Sequence, residues 1–234
     1  MTLAISVIIP AVNEEVFLPR CLGPLNQQSD VEIIVADGGS TDNTAQIARA
    51  SGASVVASRV KSRAAQMNAG ARSARHDWLY FVHADTIVPL TFQADIASAI
   101  RSGYASGCYR FRFDDNRGLR AVNSWFTRFH WLTVRGGDQS LFVSRSDFDA
   151  LGGFNEHYTI MEEYDFIRRL RKAGKSFTVM PGEVIVSARK YETNSWWRVQ
   201  MANARAMWMF RQGRHPEDIR KAYRSGLNYR QESY

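Results

Sequence analysis

The sequence predicts an α/β fold: a mostly parallel central sheet with helices on both faces, then a smaller mixed second half. Two observations carry this. Short apolar, β-branched runs alternate with helix-like stretches through the first hundred residues, which is the pattern of successive strand–helix–strand units. Dense polar loops follow three of those runs directly, at residues 10–15, 37–42 and 83–86. In open parallel sheets, ligands bind beyond the carboxyl ends of the strands.

The elements follow in order. Residues 5–9 are apolar and β-branched and predict a buried strand; 14–27 carry helical spacing, weakened by Pro19 and Pro24. Residues 31–36 predict a second strand, and 42–50 a short helix with Ser40 or Thr41 as N-cap. A short strand is expected at 54–57. An alanine-rich helix capped by Ser62 is expected at 62–75, then a strand at 78–82 that stops at His83-Ala84-Asp85. The second half predicts a strand at 104–113, an aromatic helix at 119–132 and a strand at 140–144. It then predicts a helix at 161–173, short strands at 176–179 and 183–187, a long helix at 195–211 and a tail from Gly213.

The chain has 234 residues, 45% hydrophobic and 23% charged, enough for a sizeable core. Cys21 and Cys108 form neither a metal spacing nor a disulfide framework, so a reducing cytoplasm is the simplest compartment. The opening apolar run lacks a basic flank, and no segment approaches the ~20 apolar residues of a membrane span. The net charge of +7 is unevenly placed: residues 189–234 hold ten Lys/Arg against four Asp/Glu, and the preceding 188 residues are near balance. A basic end implies an anionic partner, and a membrane surface, a phosphate-bearing ligand and nucleic acid all qualify. The terminal placement and the lack of a helix-turn-helix, RNP or zinc signature argue against nucleic acid.

Four groups of residues are suited to chemistry. Asp37 ends a strand before Gly38-Gly39-Ser40-Thr41-Asp42; its carboxylate can accept from a base or ribose, and the glycines let backbone approach a ligand. The same segment also reads as a helix-capping turn. His83-Ala84-Asp85 leaves a buried strand as a Mg²⁺ or Mn²⁺ site would, with Asp85 as direct ligand and His83 either on the metal or orienting Asp85. Glu162, Glu163 and Asp165 crowd a helix start, where the dipole favours acids and close like charges raise a carboxyl pKa toward that of a general base. Arg63 lies at a helix N-terminus, within reach of a phosphate or a base.

In this order and setting the chain resembles the family-2 glycosyltransferases of GT-A fold, over residues 6 to about 191. The segment from Ser6 to Glu15 looks like the family's opening strand and loop, and Asp37 to Asp42 its second loop. Glu162-Glu163 sits where the family has Glu-Asp. The His-Ala-Asp form and Gly137-Asp138-Gln139 resemble a small bacterial subgroup. The resemblance implies a Rossmann-like nucleotide-binding half (1–103), an acceptor half (104–190) and a basic helical extension (191–234). It implies a nucleotide-sugar donor, with uridine favoured, held by Pro10, Asn13, Glu14, Asp37, Arg63 and Ala84. It implies Mg²⁺ or Mn²⁺ on Asp85 with His83, and Glu163 as the base, with Glu162 or Asp165 as alternatives. Asp138 and Gln139 would face the acceptor, a lipid or saccharide, and Arg189 and Lys190 would clamp the diphosphate. Two departures stand out: His83 replaces the usual first aspartate and Glu163 replaces the usual catalytic aspartate. A sugar-phosphate nucleotidylyltransferase would share the sheet, but its opening loop is normally glycine-rich, and residues 10–14 contain no glycine. A catalytically silent nucleotide-sugar binder is the other alternative.

The helix at 195–211 places Trp197, Met201, Ala204 and Trp208 on one face. That stripe is expected to dock the helix on the domain. The alternative is a peripheral contact with the inner face of a membrane.

Overall fold

The computed structural model describes residues 2–58, 60, 62–129 and 139–228. Within them runs one eight-stranded sheet in the order β3-β2-β1-β4-β7-β6-β8-β5. Its strands are β1 (Ile5–Ala11), β2 (Val31–Asp37), β3 (Ser54–Ala57), β4 (Trp78–Phe81), β5 (Thr86–Ile87), β6 (Ser106–Phe113), β7 (Leu141–Ser144) and β8 (Phe177–Val186). The first four pair in parallel, with Ala11 opposite Asp37 and Asp37 opposite Ala57. Strand ends carrying the predicted polar loops therefore lie side by side. The sheet continues through antiparallel β7 into β6, which pairs in parallel with β8.

Every residue of β1 is buried, as a strand covered on both faces requires. One face packs Ile5, Val7 and Ile9 with Leu18 and Leu22 of α1 (Leu18–Leu25) and Phe92 and Ile96 of α4 (Phe92–Arg101). The other packs Ile8 and Ile34 with Met67 of α3 (Arg63–Ser73) and Phe166 of α7 (Glu162–Lys172). Helix α3 sits very close to the sheet. A Cβ on Gly70 would come within 2.5 Å of Ile8 Cγ2, and one on Gly38 would collide with the Gln66 side chain.

Several local expectations are corrected. The first helix starts at Leu18 rather than residue 14, because Pro19 suits a helix's first turn and not its interior. Neither Ser40 nor Thr41 caps α2 (Thr44–Ala50); Asn43 stands at that position, and Ser40 turns back onto Asp37. The strands expected at 176–179 and 183–187 are one strand, β8, with a register irregularity opposite Tyr109/Arg110. Helix α5 (Leu119–Phe126) ends earlier than expected; residues 130–132 of the expected helix lie outside the described residues. The strand β5, helix α4 and the short α6 (Arg145–Ala150) were not foreseen.

After the short α8 (Lys190–Thr193), the tail past Gly213 forms a further helix, α10 (Pro216–Ser225), against α9 (Trp196–Arg211). This overturns the expected docking of α9. Its buried face is Val199, Ala202, Ala206, Met207 and Phe210, because alanines let Ile219 and Leu227 approach closely. Trp197, Met201 and Trp208 instead face outward, at 65%, 65% and 58% exposure. Among the described residues no helix is long and apolar enough to cross a membrane.

Candidate active site

The first polar loop is zipped to the second. The Asn13 backbone N–H donates to Ser40 Oγ, and Asn13 Oδ1 accepts from the Thr41 N–H at 2.8 Å. The Glu14 N–H donates to Thr44 Oγ1 at 2.8 Å. Asn13 has φ +54°, in the left-handed region, which asparagine tolerates better than most residues. Ser40 donates from both N and Oγ to the Asp37 carboxylate, which fixes it at the end of β2. Gly38 N–H and Gln66 Nε2 both donate to the Ala11 carbonyl, tying α3 to the same strand end.

The opposite wall comes from residues far along the chain. Arg189 makes two hydrogen bonds to Glu14, at 2.8 and 2.7 Å, and lies 3.1 Å from Asp85 Oδ2. Its guanidinium also stacks over Phe17, 4.6 Å from the ring centroid. Burial pushes the Glu14 carboxyl above its ordinary value, outweighing the Arg189 hydrogen bonds and charge.

The third wall holds the acids of α7. They follow Met161, whose φ of +70° turns the chain into the helix. His83 Nε2 lies 3.2 Å from Glu163 Oε1, and Arg63 Nε 2.9 Å from Glu162 Oε1. Burial raises the Glu162 carboxyl to about 7 against the pull of Arg63, and the neighbouring Glu163 charge adds to the rise. Glu163 goes the other way: burial would raise it, but the His83 hydrogen bond and the His83 and Arg63 charges hold it below its ordinary value. Burial alone would depress His83, yet Glu163 raises it. Of the three crowded acids expected to include a raised carboxyl, Glu162 is the one raised, chiefly because it is wholly buried, and it lacks the imidazole partner that lowers Glu163.

The structure therefore links Asp37, Asn13, Glu14, Arg189 and Asp85 along one side, and His83, Glu163, Glu162 and Arg63 along the other. His83 and Asp85 are two residues apart on one loop and join the two sides. Glu163 and Arg63 line a cleft of about 710 Å³ that runs between α5 and α9. Pro10 and Ala84 are buried at the adjoining strand ends. Asp165 is not part of the group: it is buried and clamps Arg168 and Arg169, both at 2.8 Å, while Arg169 also holds the Leu151 and Gly153 carbonyls. Gln139 is buried, accepts from Cys108 Sγ and does not line the cleft. Lys190 is exposed in the first turn of α8, and Asp138 lies outside the described residues.

Among the described residues, no three His, Cys, Asp or Glu side chains form a complete metal cage. The donor set nevertheless fits a hard divalent cation that draws most of its oxygens from a diphosphate. The Asp85 and Glu14 carboxylates already converge on one positive group, the Arg189 guanidinium. His83 suits that role less, since its Nε2 faces Glu163 rather than Asp85.

Sequence reasoning missed Phe17 and the cluster in which Asn123 and Gln200 both donate to the Tyr191 hydroxyl, at 3.1 and 3.3 Å. Those groups come from three separate segments and leave no local motif.

Residues 6–160 match the sequence profile of glycosyl transferase family 2. The 4,4'-diaponeurosporenoate glycosyltransferase of Staphylococcus haemolyticus is 35% identical over 71% of this chain, which spans 46% of that protein. The PGL/p-HBAD biosynthesis glycosyltransferase of Mycobacterium tuberculosis is 27% identical over 69% of this chain and 67% of its own length. In fold, S. aureus TarS 1-349 in complex with UDP-GlcNAc has a TM-score of 0.68 at 15% identity, over 96% of this chain and 71% of that one. The mannosyltransferase PcManGT from Pyrobaculum calidifontis, in complex with GDP-Man and Mn2+, has a TM-score of 0.67 at 16% identity, over 96% and 69%. Loops converging at the ends of parallel strands, a mixed α/β sheet of GT-A type and the matched profile lead to one conclusion: the chain belongs to glycosyl transferase family 2 and is a glycosyltransferase.

Proposed function

We propose that the chain transfers a sugar from a nucleoside-diphosphate sugar, a UDP-sugar, to an acceptor hydroxyl with inversion at the anomeric carbon. The observation that carries this is the run of contacts from Asp37 through Ser40 and Asn13 to Glu14, Arg189 and Asp85, two residues from His83, which pairs with Glu163 in the lining of one cleft. Asp37, set by Ser40, would accept from the base, with Pro10, Asn13, Glu14, Arg63 and Ala84 around the nucleotide. UDP in TarS and in the glucosyl-3-phosphoglycerate synthase of M. tuberculosis supports uridine. Mn2+ in that synthase and in PcManGT supports a divalent cation, Mn²⁺ or Mg²⁺.

Asp85 would hold the cation, which when bound neutralises charge on the leaving diphosphate. Arg189 and Lys190 would then face the phosphates, with Arg189 exchanging its carboxylate partners for the donor. Glu163 is the base: it is the α7 acid that lines the cleft, and His83 orients it. Glu162 lies beneath, holding Arg63. Residues 1–103 would hold the donor and 104–190 the acceptor, with α9 of the basic extension (191–234) completing the acceptor's cleft. The outward Trp197, Met201 and Trp208 with the arginines beside them support work at a membrane face.

The anomeric configuration of the product, read from its ¹H–¹³C coupling, tests the reaction. An inverted linkage is expected, and a retained one contradicts a single displacement.

A further inference from the structure

We propose that the acceptor is a membrane lipid, its hydroxyl at Glu163 and its hydrocarbon chain lying in the cleft between α5 and α9. This rests on the transferase reading above and adds the class of the acceptor.

The cleft has a mixed lining. Its polar part includes Glu163, Arg63 and the hydrogen-bonded Asn123–Tyr191–Gln200 cluster, groups suited to a head group, besides Thr127, Asn203 and Arg211. The rest is walled largely by hydrocarbon and aromatic rings, among them Phe111, Phe113 and Val122 on one side and Met207 and Trp208 on the other. A saccharide acceptor would leave most of its hydroxyls unpaired against such walls, at a cost for each buried one. A volume of about 710 Å³ exceeds what a head group fills and suits a chain entering beside it.

The two helices that bound the cleft also carry the apolar surface around it. On α5, Leu119, Val122, Trp125 and Phe126 are 39–47% exposed. On α9, Trp197, Met201 and Trp208 are 58–65% exposed. Seven large exposed apolar side chains on the two helices that bound one cleft, three of them (Val122, Phe126 and Trp208) in its lining, argue for an interaction surface rather than scattered exposure. The charge beside it selects the occupant: Arg128, Arg198, Arg205, Arg211 and Arg214 are exposed on or next to these two helices. Aromatic side chains flanked by arginine match an anionic lipid surface, where rings reach the acyl boundary and guanidinium groups meet phosphates. In the transfer, the lipid oxygen forms the new bond to the anomeric carbon as the carbon–diphosphate bond breaks. Its proton passes to Glu163, and the bond's electron pair leaves with the nucleoside diphosphate.

Equilibrium dialysis of the full chain, with UDP and Mn²⁺ present, against tritiated n-dodecanol tests this, with tritiated glycerol as control. We expect a single saturable dodecanol site, no glycerol binding, and at least ~tenfold weaker dodecanol binding in Val122→Asp and in Trp208→Asp. Both positions are exposed, so melting temperatures should match the parent. The same proteins should float with phosphatidylglycerol vesicles less than the parent does. Absent dodecanol binding, binding indifferent to both variants, or self-association that buries this face in place of vesicles would overturn the proposal. A UDP-induced rise in melting temperature, measured on the same samples, separates the two readings. If it persists while dodecanol fails, only the acceptor class falls; if it is absent, the UDP-sugar reading falls.

Discussion

At the scale of single residues, neighbours divide the work between two adjacent acids. Glu163 has an imidazole partner, lines the cleft and is held below its ordinary value; Glu162 has no such partner, is wholly buried and is pushed up to about 7. Glu163→Gln should keep donor affinity and lower kcat by ~10²- to 10⁴-fold, the range for removing a general base; steady-state rates with measured donor affinity check it. Glu162 predicts a pH dependence of stability. Its folded-state pKa lies above the unfolded value of about 4.3, so the native state retains a proton that the unfolded chain releases. The stability this gives is complete below the unfolded value and is lost as pH rises toward about 7. Arg63, Glu163 and His83 are the charged groups around it. Glu162→Gln should remove that part of the slope, so the variant gains on the parent as pH rises, in urea unfolding at several pH values. A constant difference would show that Glu162 does not titrate in this range.

At the scale of elements, α3 is the pivot, bringing Arg63 to Glu162 and Gln66 to the Ala11 carbonyl. Its seat depends on Gly70 against Ile8, and Gly70→Ala should cost about 1–3 kcal/mol by overpacking. Denaturant melts check this, and an unchanged midpoint would mean the helix has slack. The donor-side elements were legible because each is local: an apolar run, a polar loop, then a cap such as Ser62, which accepts from the Ala65 N–H as expected. What stayed hidden depends on distant partners. The α9 stripe was assigned to the wrong side because α10 covers the alanine face. The Arg189–Glu14 and His83–Glu163 pairs join residues 175 and 80 positions apart. Asp165 read as a candidate base because its arginine partners, though three and four residues away, follow it on the same helix and also suit a solvated face.

At the scale of the molecule, the parallel half of the sheet supplies the donor loops. On the proposed reading, the second half and the C-terminal helices supply the base Glu163, Arg189 and the cleft that takes the acceptor. The sheet is continuous across both, so the proposed donor and acceptor sides share one frame. On that reading, the strand-end loops meet on one diphosphate and its cation. Titrating UDP into the full chain and its Asp85→Asn variant, with and without Mn²⁺, tests it most directly. Mn²⁺ should tighten UDP binding at least ~tenfold in the parent and leave the variant almost unchanged, about 1.4 kcal/mol of coupling that passes through one carboxylate. Equal enhancement in both proteins, or UDP binding indifferent to Mn²⁺ in the parent, would contradict it.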